Sequence, residues 1–391
     1  MKCSDLVTDV SIIPIAQKVQ AGQRLSFDDG RALLASRDIY GIGRLAHLVR
    51  TRLHGDKVFY NRNRHINYTN ICALSCKFCS FYRKRGEEGA YEMSVDEVVA
   101  TAQSAAEQGA TEIHIVGGLH PWLKFDYYLA ILRGIRAACP SLHIKAFTAV
   151  EIVHLSRIAR LSIRETLAAL REAGLGSLPG GGAEIFDDRV HDQVFKGKVR
   201  EDRWFDVHRA AHEQGIYSNA TMLYGHVETP EERLTHLIKL RALQDESLSR
   251  INASPSPSGG QHACFNCLVP LSFAPENSEL GDLPGPTGLS DLKTLAISRL
   301  MLDNVAHIKA FWIMQGIGLS QVALSWGCDD LDGTVVWYDI TKRVGQGTHQ
   351  EMTVDQLHRV IREAGFTPVQ RDTLYQPIAT PVTLPACPPA G

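Results

Sequence analysis

The sequence predicts an α/β protein folded as a TIM-type (β/α) barrel of eight parallel strands, with a helical N-terminal lead-in and a C-terminal extension. Eight short runs rich in β-branched or other apolar residues alternate with helical patterns. Strands that alternate with helices form parallel sheets, and such a barrel routinely takes about 250 residues or more as one unit. We therefore expect one main core in this chain of 391 residues.

The predicted strands are placed by their apolar runs. They lie near residues 65–70, 112–116, 143–147, 175–178, 217–222, 268–272, 308–312 and 322–326. The helices between them carry their own start signals. Capping boxes occur at Ser94-x-x-Glu97, Ser162-x-x-Glu165 and Thr353-x-x-Gln356, and Pro230 follows Thr229 at the first position of another helix.

The chain divides into three predicted segments. Residues 1–60 form a helical lead-in, because their apolar residues recur at helical spacing. Residues 61–375 form the barrel, which is interrupted near 249–263 by a Ser/Pro/Gly-rich insertion. The tail at 376–391 has too many prolines for a helix or an inner strand, and we expect it to be disordered.

Composition excludes several functional classes. The 41 basic and 43 acidic residues give a net charge of −2, which provides no electrostatic reason to expect nucleic acid as a partner. No stretch approaches the roughly 20 apolar residues of a membrane span, and the first residues lack the apolar core of a signal peptide. We therefore expect a cytoplasmic protein without a membrane partner. The odd number of cysteines, nine, favours metal ligands or free thiols over disulfides.

Three of these cysteines stand close together. Cys72, Cys76 and Cys79 form a Cys-x3-Cys-x2-Cys motif directly after the first predicted strand. Three thiolates can hold three irons of a [4Fe–4S] cluster and leave the fourth iron open for chemistry. The alternative is a structural zinc site, which normally has four protein ligands.

This motif resembles that of the radical S-adenosylmethionine (SAM) superfamily, including the aromatic residue Phe78 before the last cysteine. The resemblance implies that SAM binds the open iron and is cleaved to a 5′-deoxyadenosyl radical. It also implies that Gly117 and Gly118, after the second strand, receive the SAM amino group through their backbone. Glycine permits such a close approach, although the pair could also form a simple tight turn.

Further polar residues follow the later strands, where parallel barrels carry their chemistry. Glu184 follows the triple glycine 180–182, and its carboxylate suits the two hydroxyls of a ribose. Arg189 suits the carboxylate of SAM or, equally, a surface ion pair. Thr148 and Glu151 follow strand three. Strand five offers Asn219, Thr221 and Tyr224 as wall residues, on a face that the alternation does not determine.

Longer segments resemble the aminofutalosine synthase family of the futalosine route to menaquinone. The matching segments are 117–121 (Gly-Gly-Leu-His-Pro), 145–152, 178–184, 219–226, 270–277, 308–314, 326–334 and 371–375. The cyclic dehypoxanthine futalosine synthases of the same pathway share the cysteines and the Gly-Gly-Leu-His-Pro segment. They typically differ at Ala-Phe-Thr-Ala-Val-Glu (146–151) and Trp-Gly-Cys-Asp-Asp-Leu-Asp (326–332), so these two segments favour aminofutalosine synthase.

The resemblance implies a reaction in which the radical adds to the vinyl carbon of 3-[(1-carboxyvinyl)oxy]benzoate, with SAM as co-substrate. Aryl migration and decarboxylation then give aminofutalosine, and a donor such as flavodoxin or ferredoxin supplies electrons. Candidate residues for proton handling are His120, Glu151 and His226, and candidates for the substrate carboxylates are Arg343, Lys309 and Arg371. Two alternatives stay open. One is a related enzyme that abstracts hydrogen, of the cyclase or deazaflavin-cofactor type, and the other is a structural iron–sulfur or zinc protein.

The sequence departs from the family at the insertion. After it, Cys264 and Cys267 form a Cys-x2-Cys pair, and Asn266 stands where a short Phe-Gln segment is expected. Two thiolates are half of a metal site, and no partner pair is evident. We therefore expect both cysteines to be incidental.

Overall fold

The computed structural model describes residues 6–253, 261–334 and 351–378. The strands in these ranges are β1 (Lys57–Asn61), β2 (Asn63–Ile66), β3 (Glu112–Ile115), β4 (His143–Ala146), β5 (Ser177–Leu178), β6 (Tyr217–Tyr224), β7 (Phe265–Ser272), β8 (His307–Ile308), β9 (Asp330–Gly333) and β10 (Thr367–Gln370). The helices are α1 (Ile13–Gln20), α2 (Phe27–Ala35), α3 (Ile39–His54), α4 (Val95–Glu107), α5 (Phe125–Ala138), α6 (Ala149–Ala159), α7 (Ile163–Ala173), α8 (Asp188–Val194), α9 (Glu201–Glu213), α10 (Pro230–Ala253), α11 (Gly288–Met301), α12 (Trp312–Gln315), α13 (Ile317–Ala323) and α14 (Val354–Glu363).

The main sheet has seven parallel strands in chain order, from β2 to β8. Neighbouring strands are joined by helices that cover the outside of the sheet, as right-handed parallel crossovers require. The predicted α/β class and the predicted parallel (β/α) arrangement are therefore confirmed. The chemistry of such a sheet is expected at the carboxyl ends of its strands.

A second sheet of three parallel strands has the order β10-β1-β9. Strand β9 connects the two sheets, because the Asp329 N–H donates to the Ile308 carbonyl at 3.1 Å and the Ala310 N–H donates to the Asp330 carbonyl at 2.8 Å. On its other side β9 pairs with β1, which leads through Arg62 into β2. Strand β9 thus links the last strand of the main sheet to β1, which precedes the first strand of that sheet in the chain.

The predicted eighth strand at 322–326 is wrong. Residues 317–323 form α13, and the strand beside β8 is β9, residues 330–333. A short apolar run fits a helix as well as a strand, so its periodicity could not decide between them. The sequence pattern also did not predict β1, which follows the helices α1–α3 of the lead-in.

Several local predictions are confirmed. Ser94, Ser162 and Thr353 each cap a helix with the reciprocal bonds of a capping box, and Pro230 opens α10. The start of the predicted insertion, residues 249–253, continues α10 as helix, and residues 254–260 lie outside the described residues. Most of the predicted tail also lies outside them. None of the helices in the described ranges is long and apolar enough to cross a membrane.

Candidate active site

The three motif cysteines lie in a long loop between β2 and α4 that is held against itself. The Arg83 N–H donates to the Asn70 carbonyl at 2.8 Å, and the Met93 N–H donates to the Tyr68 carbonyl at 2.8 Å. The Lys84 ammonium donates to the carbonyls of Cys72, at 3.0 Å, and of Leu74, at 2.9 Å. The later part of the loop, from Arg83 to Met93, therefore fixes the backbone of the earlier part, which carries the cysteines.

Cys72, Cys76 and Cys79 all line one cavity of about 240 Å³ at the carboxyl end of the main sheet, which we call the main cavity. All three are free thiols. Burial raises the pKa of Cys76 to about 12 and also raises the pKa of Cys79, so both are neutral thiols without a bound metal. A metal that binds them must displace their protons.

The spread of the three sulfur atoms distinguishes the two metal interpretations. Two sulfurs on one zinc ion lie no more than about 4.6 Å apart, twice the zinc–sulfur bond length. The three motif sulfurs do not all lie within 4.8 Å of one another. They are therefore arranged too widely for a single ion, whereas an iron–sulfur cluster has a separate iron for each thiolate. The donor set fits a [4Fe–4S] cluster.

Gly117 and Gly118 pack the end of β3 tightly against the cysteine loop. A Cβ atom at Gly117 would lie 2.7 Å from the Tyr68 ring, and one at Gly118 would lie 2.3 Å from the Ile71 carbonyl oxygen. Their N–H groups are already used, by Glu151 Oε1 at 3.0 Å and by the Thr69 carbonyl at 2.9 Å. Their N–H groups are therefore not available to a ligand, whereas a backbone carbonyl oxygen can accept from an amine.

Glu184 lines the same cavity and is buried. Its backbone has a φ of +47°, a left-handed conformation that is uncommon outside glycine. Its carboxylate forms an ion pair with Lys198, whose ammonium also lies 5.2 Å from the centre of the Phe78 ring. Phe78 lines the cavity too. Lys198 thus contacts both Glu184 and Phe78 at the wall of the main cavity.

Sequence reasoning missed Lys198. The residue lies in the loop after α8, fourteen positions beyond Glu184, and no single helix or strand contains both residues. Burial lowers the pKa of Lys198, but the charge of Glu184 outweighs this effect and the net pKa is raised. Lys198 is therefore a permanent cation beside the cysteines.

Glu151 joins three segments at the floor of the main cavity. It accepts hydrogen bonds from the Tyr68 hydroxyl at 2.8 Å and from the Gly117 N–H at 3.0 Å. Its other oxygen accepts from the Thr148 N–H at 2.7 Å in the capping box of α6. Burial raises the pKa of Glu151 to about 7, against the effect of these bonds.

The two candidate histidines do not line the main cavity. The His120 Nε2 lies 2.8 Å from a carboxylate oxygen of Glu92, and its Nδ1 accepts from the Leu123 N–H at 3.1 Å. The His226 Nε2 bonds the Leu223 carbonyl at 3.1 Å, and its Nδ1 lies 3.3 Å from Glu228. His226 is thus engaged with its own segment, whereas His120 bonds both its own loop and Glu92 of the cysteine loop.

Arg189 likewise lies away from the main cavity. Its guanidinium holds Glu232 with bonds of 3.0 Å from Nε and 2.6 Å to the second oxygen, and it also bonds the Val227 carbonyl. This is the surface ion pair that the sequence left open as an alternative.

A second cavity of about 110 Å³, which we call the inner chamber, lies inside the sheet beneath the main cavity. The two share the lining residues Val116, Thr148, Gly181 and Leu271, so they are adjacent. The other lining residues are His65, His114, Lys145, Pro179, Asn219, Thr221, Val269, Lys309, Phe311 and Asp332. Most of these stand on strands rather than in the loops that line the main cavity.

Strand β6 divides its side chains between two environments. Asn219 and Thr221 face the inner chamber and Leu223 faces the main cavity, in the alternation expected of a strand. Tyr224 points to the other face, where its hydroxyl donates to Asp291 at 2.6 Å. The prediction that Tyr224 is a wall residue of the site is therefore wrong, and the prediction for Asn219 and Thr221 holds.

Three cations beneath the site are held in buried ion pairs. Lys145 pairs with Glu112 at 2.8 Å, and Lys309 pairs with Asp332. Arg371 pairs with Asp330 at 2.5 Å and does not line either cavity. Of the cations predicted for the substrate carboxylates, Lys309 therefore reaches a cavity, and Arg343 lies outside the described residues.

Cys264 and Cys267 face different surroundings. Three residues apart in extended chain, they fall on opposite sides. Cys264 lies beside Gln244, whereas Cys267 is fully buried beside Tyr375 and Lys309. Asn266 donates to the Thr373 carbonyl at 3.4 Å and lines neither cavity.

Comparison with known proteins agrees with this geometry. Residues 66–240 match the model of the radical SAM superfamily, and residues 264–384 match that of the CofH/MqnC C-terminal region. The chain is 46% identical to aminodeoxyfutalosine synthase of Thermus thermophilus, over 95% of this chain and 97% of that protein. It belongs to the aminodeoxyfutalosine synthase family of radical SAM enzymes.

Other relatives extend the comparison. The chain is 44% identical to aminodeoxyfutalosine synthase of Streptomyces coelicolor, over 93% of this chain and 92% of that protein. It is also 35% identical to 5-amino-6-(D-ribitylamino)uracil–L-tyrosine 4-hydroxyphenyl transferase of Methanopyrus kandleri, over 96% of this chain and 99% of that protein. Relatives of the chain thus include enzymes that are named for different activities.

Solved structures show the same fold. Methylornithine synthase superposes with a TM-score of 0.70 at 20% identity, over 90% of this chain and 96% of that one. The hydrogenase maturase HydG of Carboxydothermus hydrogenoformans also gives 0.70, at 18% identity, over 93% and 80%.

Proposed function

We propose that the protein adds the 5′-deoxyadenosyl group of SAM to 3-[(1-carboxyvinyl)oxy]benzoate and forms aminofutalosine with loss of carbon dioxide, in menaquinone biosynthesis. The observation that supports this most is the 46% and 44% identity to aminodeoxyfutalosine synthases over nearly the whole chain. The 35% identity to the archaeal transferase is lower over a similar length.

The site residues have separate binding roles in this proposal. Cys72, Cys76 and Cys79 would hold the [4Fe–4S] cluster, which when bound supplies the electron that cleaves SAM and takes one back at the end. Phe78 and Glu184 would bind the adenosyl part of SAM from the wall of the main cavity. The carbonyl oxygens of Gly117 and Gly118 would accept from its amino group.

The proposed reaction balances without a net proton. One electron breaks the bond between the sulfonium sulfur and C5′ of SAM and releases methionine. C5′ then forms a bond to the terminal vinyl carbon, and the aryl group moves from the ether oxygen to the neighbouring carbon. The bond from that carbon to its carboxylate then breaks, which leaves a ketone and releases carbon dioxide and one electron. One electron enters and one leaves, and no net proton enters or leaves. The chemistry therefore places no net proton demand on His120, Glu151 or His226.

What the chain must supply is position and exclusion of water. The vinyl carbon has to lie within about 3–3.5 Å of C5′, and a radical must not meet solvent. Phe78, Val150, Leu223, Phe273 and Met314 give the main cavity an apolar wall suited to this task.

A second candidate is the archaeal type of activity, favoured by the 35% identity over 96% of the chain. Such an enzyme would abstract hydrogen and release free 5′-deoxyadenosine, whereas addition consumes the adenosyl group in the product.

The test is anaerobic incubation of reconstituted protein with SAM, a reductant and the enolpyruvyl benzoate, followed by mass analysis. We expect aminofutalosine in amounts that match the methionine formed. Free 5′-deoxyadenosine as the main product with a tyrosine-containing substrate pair would instead support the second candidate. Replacing the chemical reductant by a flavodoxin or a ferredoxin tests the proposed donor.

A further inference from the structure

The inner chamber is too small for SAM. An apolar cavity of about 150 Å³ holds one benzene molecule, so the chamber, at about 110 Å³, has room only for the end of a ligand that extends from the main cavity. A nucleoside exceeds this space. The chamber therefore belongs to the second substrate and not to the adenosyl group.

The walls of the chamber offer both an apolar side and a group of hydrogen-bond donors. Val116, Pro179, Val269, Leu271 and Phe311 form an apolar side against which an aromatic ring can lie. Lys145, Lys309 and Asn219 contribute hydrogen-bond donors to the same small space. This combination fits a benzoate: an apolar ring with one acid group.

Asn219 is the least explained side chain of the chamber. It is 5% exposed, yet its amide makes no hydrogen bond with any residue that the structure describes. The side chain lines the chamber, so its amide donors and acceptor are available to a ligand there. Its neighbour on the same strand face, Thr221, differs, because that hydroxyl donates to the Gly180 carbonyl at 3.0 Å.

The two lysines can accept a further anion. An ammonium has three donors, and within the described chain each lysine shows a single side-chain partner, Glu112 for Lys145 and Asp332 for Lys309. Each therefore keeps N–H groups for a carboxylate, which only accepts. The ion pairs also fix both ammonium groups before a ligand arrives.

We propose that the inner chamber binds the benzoate end of the substrate, with the ring carboxylate received by Asn219, Lys145 and Lys309. The inference rests on the proposed function, which requires the vinyl carbon to meet SAM in the main cavity. The aromatic ring lies on the other side of the ether oxygen from that vinyl group. A substrate that places its vinyl carbon in the main cavity can therefore extend its ring into the adjacent chamber.

The test compares two ligands that differ only in the ring carboxylate: 3-[(1-carboxyvinyl)oxy]benzoate and 2-phenoxyacrylate. Their affinities are measured by equilibrium dialysis with the reconstituted protein and SAM, without reductant, so that no turnover occurs. A hydrogen bond to a charged group corresponds to about ten-fold or more in affinity. We expect Asn219→Ala to weaken binding of the benzoate by about that factor and to leave 2-phenoxyacrylate nearly unchanged.

Two further variants make the comparison specific. Asn219→Asp keeps the shape and replaces donors by acceptors, so it should weaken the benzoate more than Asn219→Ala does. Thr221→Val alters the same chamber at a hydroxyl already in use, and it should affect both ligands equally. Iron content and SAM affinity report on folding of each variant.

The outcomes separate the two proposals. If the wild type converts the benzoate but both Asn219 variants bind the two ligands as the wild type does, or lose both equally, the chamber assignment is overturned and the proposed function stands. If the wild type neither binds nor converts the benzoate, both fall.

Discussion

The carboxylate of Glu151 accepts a hydrogen bond of 3.0 Å from the backbone N–H of Gly117. This bond joins the first turn of α6 to the loop after β3, and the Tyr68 hydroxyl adds the loop that carries the cysteines. One buried carboxylate thus ties the glycine pair to the two neighbouring strand ends. Its ionisation is therefore coupled to the shape of the main cavity.

Glu151 should make the stability of the protein depend on pH. Its pKa is about 7 in the folded state, above the ordinary value of 4.5, so the folded state loses stability as the pH rises from the lower value to the higher one. We expect wild type to lose up to about 3 kcal/mol relative to Glu151→Gln across this range. Glutamine keeps the capping box. Urea unfolding of the metal-free proteins at pH 5 and pH 7.5 measures the difference.

The matched control is Glu97→Gln in the capping box of α4. Glu97 is exposed, and hydrogen bonds from Ser94 lower its pKa, so its loss should act in the opposite direction and weakly. A difference between wild type and Glu151→Gln that stays constant from pH 5 to pH 7.5 would contradict the prediction.

Cys76→Ala should abolish SAM cleavage and lower the iron content well below about four per chain, the number in one cluster. Cys76 is a buried member of the only cysteine trio that lines the main cavity in the described chain. Iron and sulfide analysis after anaerobic reconstitution measures the effect. Cys139→Ala removes another buried free thiol and should keep the wild-type iron content. Full turnover by Cys76→Ala would refute the cluster assignment.

Replacing both Cys264 and Cys267 by Ser should leave iron at about four per chain. The two thiols lie in different surroundings, one beside Gln244 and the other beside Tyr375. Iron analysis of the double variant beside the wild type is the measurement. About eight irons per chain in the wild type, or a lower iron content in the double variant than in the wild type, would indicate a second cluster.

Glu184→Gln should weaken SAM binding about ten-fold or more and spare the cluster, because charge-assisted bonds to ribose hydroxyls contribute about 1.5–3 kcal/mol. Lys198 would also lose its ion-pair partner. SAM affinity is measured on reconstituted protein beside its iron content. Glu228→Gln is the control, since Glu228 is buried and paired with Arg233 at 2.8 Å but lies outside the main cavity. An unchanged SAM affinity in Glu184→Gln would show that Glu184 does not bind the ribose of SAM.

The parts of the fold that follow local rules could be predicted from the sequence. Ser94 and Ser162 mark their helices because a capping box is complete within four residues. The strand at 322–326 was wrong because β9 is set by pairing with β1 and β8, far apart in the chain. Local periodicity contains no such information.

The site residues likewise include some that local sequence could predict and others that depend on contacts between distant parts of the chain. The cysteine motif is local, and all three of its members line the main cavity. Lys198 could not be found, because its pairing with Glu184 depends on how two loops fold together. The partners of His120 and His226 could not be predicted either, since His120 meets Glu92 of the cysteine loop and His226 bonds the Leu223 carbonyl, and neither histidine lines the main cavity.

The pairing of β1 with β10 has a consequence for how the chain is made. Lys57 lies opposite Thr367, and Tyr60 lies opposite Gln370, so the contact spans about three-quarters of the chain. Non-local pairings of this kind slow folding, because a long loop must close before the contact forms. On the ribosome, β1 stays without this neighbour until almost the entire polypeptide has emerged. The cysteine loop, which follows β1 by a dozen residues, is thus synthesised long before its barrel can be completed.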